Sequence, residues 1–144
     1  MFFAGCSNEF AIEEYNDAAK LADSGDRYAK SMASGHTTTD ELSYTANSFD
    51  GRETLWHGYV SESCTAELTV SLNLSEGQAK LILVDADDNI TVLTERSADS
   101  DEDAELTTKV ALSEGELRFR IAGHGCKELE LEIFFNGLTE NRKR

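Results

Sequence analysis

Leu68, Val70, Leu72 and Leu74 alternate with Glu67, Thr69, Ser71 and Asn73, and this period of two constrains the fold more than any other feature of the chain. It recurs twice near the C-terminal end. Leu117, Phe119 and Ile121 alternate with Glu116, Arg118 and Arg120, and Leu129, Leu131, Ile133 and Phe135 alternate with Glu128, Glu130 and Glu132. Successive side chains of a strand point to opposite faces, so each segment reads as a strand with one face in a core and one in water. Residues 79–85 are denser, with Leu81, Ile82, Leu83 and Val84 in a row, as in a central strand covered on both faces.

Turn-forming groups separate these segments: Phe49-Asp50-Gly51, Ser75-Glu76-Gly77, Asp85-Ala86-Asp87-Asp88-Asn89, Ser113-Glu114-Gly115 and Gly123-His124-Gly125. The pattern predicts eight strands, at 41–49, 53–61, 65–74, 78–85, 90–96, 104–112, 116–122 and 128–135. No helix-length pattern lies between them, which excludes βαβ units. The expected fold is mainly β, an eight-stranded antiparallel sandwich of jelly-roll type.

Before the strands, Ile12, Tyr15, Ala19, Ala22, Ala29 and Met32 recur near a 3.6-residue period. This predicts an N-terminal α-helix over 9–33, with Gly25 as a weak point and Ser7 or Asn8 as its cap. Its apolar stripe is rich in alanine and buries little area. A helical stalk over 9–33, a polar linker over 34–40, a sandwich over 41–136 that folds without the first 40 residues, and a tail over 137–144 follow as the expected organisation.

Charge narrows the partners. The 28 Asp and Glu outnumber 13 Lys and Arg, a net charge of −15. Nucleic acid is disfavoured, because its phosphates are bound by Lys and Arg. An anionic lipid surface is disfavoured for the same reason.

The start, Phe2-Phe3-Ala4-Gly5-Cys6, resembles a shortened lipobox of bacterial lipoproteins, in which an apolar residue and two small residues precede a lipidated cysteine. The resemblance implies lipid on Cys6, export, and attachment to the cell membrane through acyl chains. It would leave Cys64 and Cys126, the right parity for one disulfide in an oxidising compartment, each just ahead of a predicted strand. The alternative is two buried thiols packed as small apolar groups.

A second resemblance lies in Ser113-Glu114-Gly115-Glu116-Leu117-Arg118-Phe119-Arg120-Ile121, the glycine-containing turn, and Leu129-Glu130-Leu131-Glu132-Ile133. This segment resembles the closing hairpin of pre-peptidase C-terminal domains and of carbohydrate-binding-module-like sandwiches. It implies the sandwich fold more than any function.

No catalytic constellation assembles from these residues: the sequence has no nucleophile elbow, no HExxH and no phosphate loop. His36, His57 and His124 lack the spacing of a zinc site. Asp85–Asn89 lacks the central glycine and the bidentate glutamate of an EF-hand and reads as a hairpin turn. No metal or other cofactor is expected. Leu55-Trp56-His57-Gly58-Tyr59 concentrates ring side chains. Alternation puts Trp56 on one face and His57 and Tyr59 on the other, so either Trp56 is a platform beside Gly58, or it is core and His57 and Tyr59 face outward. The expected role is non-catalytic binding or scaffolding at the cell surface. The alternatives are a carbohydrate-binding module using Trp56, His57 and Tyr59, or an accessory subunit of a surface complex.

Overall fold

Two strands twenty and twenty-one residues long, β3 (Glu41–Val60) and β8 (Gly115–Phe135), form the frame of the molecule. They pair antiparallel along their whole length, from Glu41 opposite Phe134 to Val60 opposite Gly115. The computed structural model describes residues 10–23, 25–38, 41–98 and 105–135. Within them lie six further strands: β1 (Arg27–Ser31), β2 (Ser34–Thr37), β4 (Cys64–Asn73), β5 (Glu76–Val84), β6 (Ile90–Ser97) and β7 (Glu105–Leu112). Helical turns occupy 10–15 (α1) and Ala18–Ala22 (α2).

This long strand pair serves two layers. The first half of β8 pairs with β5, which pairs with β6. The second half pairs with β4, which pairs with β7. β3 shifts register between Phe49 and Gly51 and again between Thr54 and Trp56. Such bulges bend a strand and increase its twist. The two halves of the strand pair thereby face each other. Trp56 and Phe119 from one layer meet Phe135 from the other, with ring centroids 6.0 and 5.6 Å away. Phe49, Leu68, Leu72, Leu81, Leu117, Ile121, Leu129 and Ile133 fill the space between. Gly51 sits at the bend with φ of 119°, where β1 crosses, and a Cβ there would lie 2.1 Å from the Arg27 carbonyl oxygen.

The expected antiparallel sandwich is therefore present, built differently in detail. The predicted strands 41–49 and 53–61 are one bent strand, as are 116–122 and 128–135, while β1 and β2 fall where helix and linker were expected. The single helix over 9–33 is thus corrected to two short helical segments followed by strands. Asp17 interrupts the helix as the N-cap of α2, its side chain accepting from the Ala19 and Lys20 amides. Arg27–Ser31 and Ser34–Thr37 then pair with the open side of β3. Edge pairing of this kind is set by the partner strand more than by the propensity of the segment itself.

Nor is the N-terminal segment a stalk. It lies on the outer face of β5 and β8, where Tyr15 and Leu21 form a second apolar cluster with Ile82, Val84 and Ala122. This explains the dense run in β5: Leu81 and Leu83 face the main core, Ile82 and Val84 the N-terminal segment. Arg120, 0% exposed, fixes the segment by donating to the carbonyls of Leu21, Asp23 and Gly25 and to the Asp26 carboxylate. Arg52 pairs with Glu14, itself buried. The boundary drawn at residue 41 cuts through these contacts.

The expected Cys64–Cys126 disulfide is also corrected. Cys126 donates its thiol to the Gln78 carbonyl, 3.2 Å away, and no bond joins it to Cys64. The register gives the reason. Asn73 is opposite Glu130, Cys64 lies nine residues back along β4, roughly 30 Å of extended strand, and Cys126 lies beyond Glu130 in the other direction. A disulfide needs Cα atoms within about 7 Å. Parity in sequence carried no information on which ends of the sheet the two strands present.

Candidate functional site

The register shift after Thr54 sets which ring faces where in Leu55-Trp56-His57-Gly58-Tyr59. Trp56 is opposite Phe119, and Gly58 is opposite Leu117, so both point into the sandwich. The indole packs against Phe119 and Phe135, with centroids 5.4 and 6.0 Å away. Gly58 makes this possible: a Cβ there would lie 2.2 Å from Trp56 Cη2. Trp56 is a core ring, and the platform alternative for it is set aside.

His57 and Tyr59 are brought together on the outer face. His57 is opposite Arg118 and Tyr59 opposite Glu116. Tyr59 is 63% exposed. His57 Nε2 stands 3.7 Å from Glu116 Oε2. Beside them a cavity of about 380 Å³ is lined by Asp26, Thr54, His57, Asp85, Ala86, Asp88, Glu116 and Arg118.

Each wall is held from below. Asp26 accepts from the Thr54 amide and hydroxyl and from Arg120, all at 3.0 Å. The Asp85 carboxylate organises the β5–β6 turn, accepting from the Asp87 and Asn89 amides at 2.9 Å and from the Asn89 side chain. Slight burial works to raise its pKa, but these donors prevail and hold the carboxyl below its usual range. It is therefore ionised at neutral pH. Asp88 sits in that turn with φ of 65° and accepts from Arg118 at 3.3 Å. Arg118 also donates to the Ala22 carbonyl at 3.1 Å, while its Nη1 is buried with no acceptor in the protein.

The result is a cavity in which the Arg118 guanidinium and the His57 ring stand among four carboxyl groups, Asp26, Asp85, Asp88 and Glu116, beside an exposed phenol ring. Among the described residues no group of three His, Cys, Asp or Glu is placed to hold a metal ion. The other histidines lie elsewhere. His36 is exposed on β2. His124 packs edge-on to Tyr15 at 4.9 Å and shares a hydrogen bond with Gln78. Cys6 lies outside the described residues.

Arg118, Asp88, Glu116 and Asp26 were not singled out by sequence. One signal was available: Arg118 and Arg120 both alternate outward from Leu117, Phe119 and Ile121 in a chain poor in cations. Two arginines on one strand face call for carboxylate or carbonyl partners.

No protein-family model matches the sequence, and no curated protein matches it. Among solved structures the chain is similar to the family 35 carbohydrate-binding module from Paenibacillus barcinonensis, with 16% identity over 81% of this chain and 95% of that one and a TM-score of 0.40. It is similar to a family 6 module from Cellvibrio mixtus lichenase 5A, solved in complex with cellotriose, with 15% identity, 77% and 87% coverage and a TM-score of 0.36. It is also similar to a structure of infectious bursal disease virus Gt strain, with 9% identity, 76% and 30% coverage and a TM-score of 0.37. At these identities and scores none of them assigns a ligand to this chain.

Proposed function

We propose that this chain is a non-catalytic binding module for a neutral carbohydrate, bound in the cavity between His57, Asp88, Glu116 and Arg118. The observation that carries this reading is a cavity that gathers the Arg118 guanidinium, the His57 ring and four carboxyl groups, with the exposed Tyr59 ring two residues along β3 from His57. Sugars present vicinal hydroxyls, each both donor and acceptor, about as far apart as the groups on neighbouring side chains. Charge-assisted hydrogen bonds from Arg118 and to the carboxylates suit them. Tyr59 offers an apolar face for the C–H side of a ring. The carboxylates would repel an anionic sugar. The cavity volume of about 380 Å³ falls in the range of small-ligand sites.

Binding or scaffolding at the cell surface was the first expectation from sequence. The helical stalk drawn beside it is replaced by a segment docked on β5 and β8. Export and a lipid on Cys6 stay part of the proposal, on the lipobox resemblance alone; detergent partitioning and intact-mass measurement of the expressed full-length protein test them.

The test of binding is a glycan array followed by calorimetry on wild type, Tyr59→Ala and Arg118→Met. Both variants should lose at least tenfold in affinity, and Tyr59→Ala should melt with the wild type because its ring is exposed. Binding that survives both substitutions would refute this site.

A further inference from the structure

The cavity at His57 does not end at Asp88. On the far side of that residue a second, larger one of about 730 Å³ opens between Ala18, Ala19 and Ala22 of α2 and Asn89 and Ile90 of the β5–β6 hairpin. Asp88 lines both. Arg118 joins them from beneath. Its Nη2 donates to Asp88 on the shared wall and to the carbonyl of Ala22 on the wall of the second cavity. The two are therefore neighbouring parts of one groove, divided by the Asp88 side chain.

The sheet register places the two cavities side by side. His57 is opposite Arg118, Arg118 opposite Val84, and Val84 opposite Ile90, so one row crosses β3, β8, β5 and β6 at right angles to the strands. Val84 is buried under the N-terminal segment, so the groove passes over Asp88, and its two cavities of about 380 and 730 Å³ hold more than a single sugar ring. The two halves differ in chemistry. Around His57 the walls are mostly charged, whereas the second part is lined by three small alanine side chains and Ile90 together with Lys20, Asp23, Asp88 and Asn89. Charged walls suit hydroxyl recognition. Small apolar walls leave room for a following ring and contact its C–H groups without desolvating a charge.

We propose, resting on the carbohydrate reading above, that the ligand is a linear neutral oligosaccharide. One ring sits in the His57–Glu116 cavity, and the chain continues over Asp88 between α2 and the β5–β6 hairpin. α2 is then part of the binding surface, and its alanines keep the second half of the groove open.

The test is a chain-length series by calorimetry on the whole protein. The monomer, dimer and tetramer of β-1,4-glucan, β-1,4-xylan and β-1,4-mannan are the probes. In the series that binds, affinity should rise at least tenfold from monomer to tetramer. Ala19→Arg keeps a good helix former at an exposed position of α2 and puts a long side chain into the second half. It should abolish the gain with length and leave monomer affinity unchanged. Equal affinity for monomer and tetramer, or equal loss for both in Ala19→Arg, would overturn the extended groove while leaving the carbohydrate reading intact. Absence of binding to all nine probes would overturn the extended groove, and absence of any hit on the glycan array would overturn the carbohydrate reading as well. The wild-type series decides the matter even where the variant does not fold.

Discussion

Replacing Arg120 with Met should loosen the N-terminal segment before it disturbs the sandwich. Arg120 is the largest fully buried side chain, and Met fills most of its volume without its charge. Its loss strands three carbonyl acceptors. That of Leu21 is buried and costs about 1–3 kcal/mol when left unpaired. Those of Asp23 and Gly25 lie in part-buried bonds and can recover water, at about 0.5–1.5 kcal/mol each. Asp26 retains the Thr54 donors. Against this stands the desolvation that burial imposes on the guanidinium, which pushes its pKa down in spite of Asp26 and which Met relieves. The balance is a net loss of about 2–4 kcal/mol, or roughly 5–15 °C in melting temperature for a chain of this size. Hydrogen exchange should locate the effect, with protection falling over residues 17–23 and holding at Leu129–Ile133 in the main core. Arg120→Lys keeps the charge but cannot fork to four acceptors, so it should recover only part of the loss. A melting temperature within 2 °C of wild type for Arg120→Met, with unchanged exchange over the segment, would refute the idea that Arg120 holds it.

Three further outcomes follow from the same contacts. Trp56→Ala should cost about 3–5 kcal/mol as a core truncation, and Gly58→Ala about 1–3 kcal/mol because its Cβ displaces the indole; chemical denaturation reads both. Burial lowers the His124 pKa, with Asp50 opposing. The unfolded chain then binds the proton more readily, so this stability is full above the unfolded value of about 6.5 and is lost as pH falls through the folded value. The acid-side decline in melting temperature should be shallower in His124→Gln than in wild type. Finally, burial pushes the Cys126 thiol up to about 12, so native protein at pH 8 should leave it unalkylated by iodoacetamide, and reductant should not change the melting temperature. Rapid modification of Cys126 in folded protein would contradict its placement.

The sequence by itself determined the strand segments, their inward and outward faces, and the double burial of β5, because a period of two is a local property of the chain. Leu68 to Leu74, Leu117 to Ile121 and Leu129 to Phe135 needed no partner to reveal which side faces the core. Placement across the sheet was another matter. Nothing in Arg27–Ser31 or Ser34–Thr37 announces that β3 has an open side to receive them, and their alanine, serine and glycine fit a helix or linker pattern equally well. Only the tertiary structure decided that two pairs of predicted strands are two bent ones. Only it set Cys64 and Cys126 at different ends of β4 and turned Trp56 inward over Gly58. The binding groove belongs to the same class. His57 and Tyr59 were legible as outward rings, but Arg118, Asp88, Asp26 and Ala19 come from four separate elements. Their meeting depends on which strands lie side by side and on a register between residues far apart in the chain.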